Sequence, residues 1–513
     1  MLEIYNTMNR KKEQFISIND NRINLFVCGP TVYDDAHIGH GRTYISFDII
    51  KRYLEFIGYS VFYLENITDI DDKIVVRAKE RKTDFLTLAR FYENRFKEDM
   101  KKLNVDSVNL YPRATDHLNE IHKQIDILIK KGFAYESEDG VYFEVEKFPS
   151  YGKLSHQKLD KLEAHREIAK TTKKNPHDFA LWKKTDEKPY FPSKFGNGRP
   201  GWHIEDTAIT EQYFGLQYDI HGGGLDLIFP HHEAEIAQME AISSLEPMVR
   251  YWLHTGFLNV DGEKMSKSLG NFITIRELLK TWDPMVFRLF ILSTHYRNPI
   301  DFSQKALNQS LKNLDRLKIT INNLIDFKDN VINHSPEDIV IKHSPEDTVI
   351  NNSPESLDDF QSIENDLDIS NKINKKSFND NILLHIDELE KEFFKYMDDD
   401  FNTPRSLAVI LNFTKNVNGF IDGKTPLINT GKISEEELYI SYKFAIKTLK
   451  FFIAFEKIFN LNIFEKENEN LDSNKFLDIL LETRDKLREE KNYQLSDYIR
   501  DKINELGMKI EDD

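Results

Sequence analysis

One cysteine among 513 residues, Cys28, excludes any disulfide within the chain, and that usage suits a reducing compartment. No run of residues approaches the ~20 apolar positions needed to cross a bilayer, so no membrane partner is expected. The opening Met1-Leu2-Glu3-Ile4-Tyr5-Asn6 lacks the basic stretch and apolar core of a secretory leader, and a cytoplasmic location is the expectation. Positive charge is also in deficit. Lysine and arginine total 69 against 86 acids, a formal net charge of −17. That balance argues against a protein that coats nucleic acid without sequence preference. It leaves room for a nucleic-acid partner held by local basic patches.

What is present begins at the lone thiol. Ile23-Asn24-Leu25-Phe26-Val27-Cys28 has the pattern of a strand. Gly29-Pro30-Thr31-Val32-Tyr33 and a short link lead to His37-Ile38-Gly39-His40-Gly41, after which Tyr44, Phe47, Ile50 and Leu54 recur at helical spacing. A strand, a glycine-bearing loop and a helix N-terminus form an anion site, because unpaired backbone N–H groups and the helix dipole converge there. Tyr59 to Leu64 reads as a second strand, and β-α-β alternation implies a parallel sheet with covered faces. Asp219-Ile220-His221-Gly222-Gly223-Gly224 looks like another strand running into a glycine turn, and Pro230 suits the start of a helix. Pro112 to Pro200 is less regular and reads as an insertion. From about Asp283 the pattern is helical, with a break and restart at Asp400-Phe401-Asn402-Thr403-Pro404. One tract interrupts it. Asn333-His334-Ser335-Pro336-Glu337-Asp338 returns nine residues later at Lys342 and again at Asn351. Nine is too short for a helical solenoid repeat, and the polar, acidic, proline-broken tract reads as a flexible linker.

Two segments carry chemistry. His37 and His40 stand at the mouth of the strand-to-helix turn, where imidazole N–H groups can donate to phosphate oxygens that gain charge during displacement. In Glu263-Lys264-Met265-Ser266-Lys267-Ser268-Leu269-Gly270-Asn271, two lysines bracket a serine in a short glycine-terminated segment. Alone it is an exposed basic turn. Paired with the histidine turn it makes a mobile clamp, since lysine is a point charge on a flexible stem and suits a leaving pyrophosphate.

Together, His37-Ile38-Gly39-His40 and Lys264-Met265-Ser266-Lys267-Ser268 resemble the two signature sequences of class I aminoacyl-tRNA synthetases without a mismatch. The nearer resemblance is to the cysteinyl-tRNA synthetases. It rests on Val27 to Asp34, Asn66-Ile67-Thr68-Asp69-Ile70-Asp71-Asp72-Lys73, Gly201-Trp202-His203-Ile204-Glu205, His221-Gly222-Gly223-Gly224 and Phe229-Pro230-His231-His232-Glu233, and extends through Asp399 to Pro404 and Ser496 to Asp501. The resemblance implies an α/β fold: a Rossmann-type parallel-sheet catalytic domain with an insertion, an α-helical anticodon-binding region and a small C-terminal subdomain. The divisions expected are 1–111 and 201–282 for the two catalytic halves, 112–200 for the connective insertion, 283–329 for stem-contact helices, 330–377 for the repeat-bearing linker, 378–465 for an anticodon-binding bundle and 466–513 for the terminal subdomain. Tyr493, Tyr498 and Arg500 are candidate RNA contacts there.

The activity implied is ATP-dependent formation of cysteinyl-adenylate from L-cysteine and transfer to the 3′ end of tRNA(Cys), by a monomer. His37, His40, Lys264 and Lys267 would stabilise the phosphates, with Mg²⁺ accompanying ATP. Gly39 and Asp226 would join them in binding ATP, Asp226 at the ribose. Gly29, Thr68 and Trp202 would line the amino-acid pocket. The family's zinc ion, which grips the substrate thiolate, would fall to Cys28, His231 and Glu235. The family's second cysteine is absent and Asp206 occupies its place. Aspartate is a legitimate zinc ligand, so the set stays chemically sound but harder and richer in oxygen. Packing alone separates near-isosteric side chains by about 1–3 kcal/mol, and a metal–thiolate bond adds a criterion that serine's hydroxyl meets poorly. Two rivals would share parts of this pattern: a cysteine ligase acting on an amino sugar, which should lack the long C-terminal helical module, and a catalytically silent RNA-binding relative, which should have damaged signatures.

Overall fold

The computed structural model describes residues 1–157, 172–265, 270–335, 380–465, 480, 482–484, 486–488 and 492–505. Up to Ile463 the described residues belong to one compact unit, and from Phe464 to a second. At the centre of the first lie four parallel strands in the order Val249–Thr255, Tyr218–Gly224, Arg22–Val27, Ser60–Glu65. They are buried on both faces and rich in apolar side chains, with Ile23, Leu25, Phe26, Val27 and Ile220 fully buried, as strands covered on both sides require. From Arg22–Val27 the chain crosses through the helix Ile38–Phe56 to Ser60–Glu65. From Tyr218–Gly224 it crosses through the helix Glu233–Ser243 to Val249–Thr255, on the other flank. Strand order therefore reverses between Arg22–Val27 and Tyr218–Gly224. The crevice beyond their carboxyl ends is where such sheets take ligands.

The expected glycine turn is a correction. Gly222, Gly223 and Gly224 are the last residues of the strand itself. A Cβ on Gly222 would lie 2.2 Å from Cζ of Phe47, so this glycine admits the first helix against the sheet. Proline 230 does not start the following helix either. It lies in the single π-turn Ile228–His232, where Phe229 is extended, and the regular helix begins at Glu233.

The start of the helix Ile38–Phe56 is tied to chain on both sides of the lysine-bearing segment. Ahead of it, the buried Arg42 guanidinium donates to the Phe257 carbonyl and the Thr43 and Thr255 hydroxyls lie 3.0 Å apart; past it, the same guanidinium donates to the carbonyls of Tyr296 and Asn298. Beyond it, the Ile38 N–H donates to Ile273 O at 3.1 Å and the Ile275 N–H to Ala36 O at 2.9 Å. Burial pushes Arg42 down to about 10, which still leaves it protonated at neutral pH. Arg42→Met is expected to destabilise the fold by about 3 kcal/mol or more, since each orphaned buried acceptor costs about 1–3 kcal/mol. Urea unfolding checks this, and a loss under about 1 kcal/mol, ordinary for a surface change, would contradict it.

The insertion carries an antiparallel sheet of short strands, Ala134–Glu136, Gly140–Phe143, Phe179–Lys184 and Gly198–Pro200. The helices Pro284–Leu292, Gln304–Asn333, Asp380–Met397, Thr403–Asn429 and Glu435–Phe459 follow. The break at Asp400 is a hub. Asp400 and Phe401 adopt left-handed φ of 59° and 52°, and the buried Asp400 carboxylate accepts from Tyr5 N at 2.9 Å, Tyr296 Oη at 2.8 Å and Arg297 Nε at 2.6 Å. In the second unit the described helix Tyr493–Glu505 leaves Tyr493 and Tyr498 exposed and pairs Arg500 with Asp497 at 3.0 Å. The nine-residue repeat lies outside the described residues from Pro336 onward. Among the described residues no helix is long and apolar enough to cross a membrane.

Candidate active site and metal centre

The phosphate end of the crevice is built by His37 and His40. His37 is the N-cap of the helix Ile38–Phe56. Its Nδ1 accepts from the His40 N–H at 3.3 Å, and His40 Nδ1 accepts from the His37 N–H at 3.3 Å. The rings stack with centroids 3.6 Å apart. This reciprocal cap consumes both Nδ1 lone pairs and so assigns the proton of each neutral ring to Nε2. Enclosure in the crevice, and then His37, hold His40 well below the usual histidine range. It therefore meets an anion as a neutral N–H donor. Gly39 precedes His40 on the first turn, and a Cβ there would lie 2.9 Å from His37 Nδ1. Lys264 ends the short strand Glu263–Lys264, exposed, with Nζ 5.0 Å from the centre of the Phe257 ring. Lys267 lies outside the described residues. Asp226 is in the one-turn 3₁₀ helix Leu225–Leu227, just past the strand that ends at Gly224.

The deeper end is a buried cluster. Cys28 follows the strand Arg22–Val27, Asp206 stands in the first turn of the helix Ile204–Phe214, His231 in the π-turn, and Glu235 in the helix after it. The Cys28 thiol donates to Asp206 Oδ2 at 3.5 Å. His231 Nε2 lies 3.0 Å from Asp206 Oδ2 and 2.8 Å from Glu235 Oε1. One ligand atom from each of the four falls within 4.8 Å of the others. Both oxygens of the buried Glu235 carboxylate lack a partner in hydrogen-bonding geometry. Burial, then Glu235 and Asp206, push the Cys28 thiol well up. Burial lowers His231, but Glu235 and Asp206 outweigh it and carry the imidazole to about 10, while burial lifts Glu235 to about 7. A thiol and carboxylates crowded together in low dielectric resist ionising, and a divalent cation reverses that preference. The donor set therefore fits a metal ion.

Around the cluster, the Gly29 N–H donates to Asn66 Oδ1 at 2.6 Å, and Asn66 Nδ2 donates to Asp206 Oδ1 at 2.6 Å. Any Cβ on Gly29 would run into the carbonyl of Asn66, 1.6 Å away. The Thr68 hydroxyl donates to the Glu205 carboxylate, a group that burial raises well above its usual range. Trp202 remains 41% exposed and stacks on His231 at 4.3 Å, so it forms the outer wall. The blocks of resemblance contain Asn66, His203, Glu205, His221 and His232 but gave them no role, and His254 drew no notice; all six are buried here.

A switch-point crevice with a capped histidine pair at its mouth is where such a sheet takes a nucleotide, and the family comparison gives the class: a class I aminoacyl-tRNA synthetase. Residues 14–312 match the family described as tRNA synthetases class I (C) catalytic domain, and residues 392–440 match the DALR domain. The cysteine–tRNA ligase of Methanococcus maripaludis (strain C7) is 43% identical over 522 residues, covering 100% of this chain and 97% of that protein. The cysteine–tRNA ligase of Pyrococcus horikoshii is 44% identical over 513 residues at the same coverage. Among solved structures, Mycobacterium tuberculosis methionyl-tRNA synthetase with methionyl-adenylate aligns with TM-score 0.58 and 16% identity, over 90% of this chain and 94% of that one, a likeness of fold. The chain belongs to the cysteine–tRNA ligase family.

Proposed function

We propose that Cys28, Asp206, His231 and Glu235 hold one zinc ion facing the amino-acid pocket, within an enzyme that activates L-cysteine with ATP and transfers it to the 3′ end of tRNA(Cys). The observation that carries the metal reading is the buried four-donor cluster, in which Glu235 lies 2.8 Å from His231 yet neither of its oxygens has a partner in hydrogen-bonding geometry. When bound, the ion supplies a soft centre that accepts a thiolate and accepts a hydroxyl poorly. The chain's own groups do the rest. Trp202 and Thr68 shape the pocket. Gly29 fixes Asn66, which orients Asp206. The cysteine carboxylate attacks the α-phosphorus of ATP and pyrophosphate leaves. His37 and His40 donate Nε2–H to the phosphates, and Gly39 lets the nucleotide approach. Lys264 and Lys267 clamp the departing pyrophosphate, Asp226 accepts from the ribose, and Mg²⁺ accompanies ATP. The terminal ribose of the tRNA then attacks the adenylate.

The helices of 283–329 are proposed to contact the tRNA stem, those of 378–465 and the subdomain 466–513 the anticodon, with 330–377 as linker. The helices Thr403–Asn429 and Glu435–Phe459 are what an amino-sugar ligase would lack. A lone reduced thiol suits a cytoplasmic enzyme, and a monomer is the proposed state. Zinc analysis of extensively dialysed protein is expected to give about one equivalent per chain, as for a closed protein site. Full cysteine-charging activity with well under one equivalent would end the zinc assignment.

A further inference from the structure

Three histidines, not one, face the Cys28–Glu235 pair. His221 Nε2 lies 3.4 Å from Cys28 Sγ and 3.3 Å from Glu235 Oε2. His232 Nε2 lies 3.1 Å from Cys28 Sγ. Each ring is held from behind through Nδ1: His221 by the Tyr218 hydroxyl at 2.7 Å, His232 by His254 Nε2 at 2.8 Å, and His254 in turn by the Thr7 hydroxyl at 2.8 Å. An imidazole that points one nitrogen at a centre while the other is fixed by an outer partner is the arrangement of a metal ligand. One atom from each of Cys28, His221, His232 and Glu235 falls within 4.8 Å of the others. Tetrahedral zinc at ordinary bond lengths needs ligand atoms about 3.3–3.6 Å apart.

We propose that Cys28, His221, His232 and Glu235 form a second, inner coordination position, and that aspartate at 206 makes it the resting place of the ion when cysteine is absent. This rests on the metal reading above. Asp206 and His231 satisfy one another at 3.0 Å, and Asp206 Oδ1 is already occupied by Asn66. His221 and His232 have Cys28 and Glu235 as the groups in front of them. The inner set offers one thiolate, two imidazoles and one carboxylate, which suits zinc better than one thiolate, one imidazole and two carboxylates. Its two anions balance a dication, whereas the three of the outer set leave a buried net negative charge. Trp252 stacks on His221 at 4.4 Å and Phe26 meets it edge-on at 5.0 Å, so protein closes the inner position off. Trp202 leaves the outer position facing the pocket mouth. Substrate sulfur is met at the outer set, and the inner set holds the ion between encounters.

X-ray absorption at the zinc edge, on full-length zinc-loaded protein without cysteine, is expected to show one sulfur and two imidazoles. One sulfur and one imidazole would overturn the inner position and leave the metal reading standing, and zinc-free active protein would overturn both. Competition with a chromophoric chelator supplies the second arm. His221→Gln or His232→Gln should weaken zinc retention at least about tenfold, and Asp206→Asn should weaken it less than about threefold. The reverse ranking would assign the resting ion to the outer set.

Discussion

Cys28→Ala is expected to leave under a tenth of an equivalent of zinc and to depress cysteine-dependent pyrophosphate exchange by about 10²-fold or more, since changes to outer-shell partners alone cost about 10–100-fold. Cys28 is the thiol common to both four-residue groups, and the described residues contain no other sulfhydryl near them. Its loss removes the one soft donor, and what remains is imidazole and carboxylate, a set that holds zinc less well and recognises sulfur less sharply. The fold should survive, because Cys28 sits just past the strand Arg22–Val27 and the one bond it makes to the neighbouring strand, its backbone N–H to Gly222 O at 3.1 Å, is kept by alanine. Metal analysis and exchange rates measured on the same preparation check the expectation. A variant with one equivalent of zinc, or more than a third of the exchange rate, would remove Cys28 from the site.

His40→Gln separates catalysis from capping. Glutamine three residues into a helix can accept from the cap N–H as histidine does here, so the reciprocal cap survives. The unfolding midpoint is expected to move by no more than about 2 °C, the scale of a few tenths of a kcal/mol. What disappears is a neutral Nε2–H aimed at the crevice. Loss of one preorganised donor to developing charge costs about 10²–10³ in rate, and pyrophosphate exchange is expected to fall by that order. A rate within threefold of the parent, measured at saturating ATP, would reduce His40 to a structural cap.

The histidine turn was legible before any fold because its parts lie within four residues of one another. A strand end, a loop and a helix N-terminus are local, and the helix fixes where both rings go. The parallel sheet was legible for a related reason: buried strands are near-continuous apolar runs, and helical spacing between them leaves few connections. The four ligand candidates followed from the resemblance, and His231 and Glu235 meet at 2.8 Å although only Glu235 lies in the regular helix.

Chain order alone determined that no disulfide forms within the chain, three of the four strands of the central sheet (all but Val249–Thr255) and the short-range signatures at its phosphate end. Tertiary structure decided the rest. Gly222 looked like loop and proved to be strand, because the decisive neighbour, Phe47, is 175 residues away in sequence and across the sheet. The insertion's strands are three to six residues long, too short to declare a period of two. Asn66, His221, His232 and His254 come together around Cys28 only when the carboxyl ends of four strands and the π-turn Ile228–His232 meet at one end of the sheet. Periodicity reports what a residue does within its own element; a buried polar cluster is made of contacts between elements, and those exist only once the strand order is set.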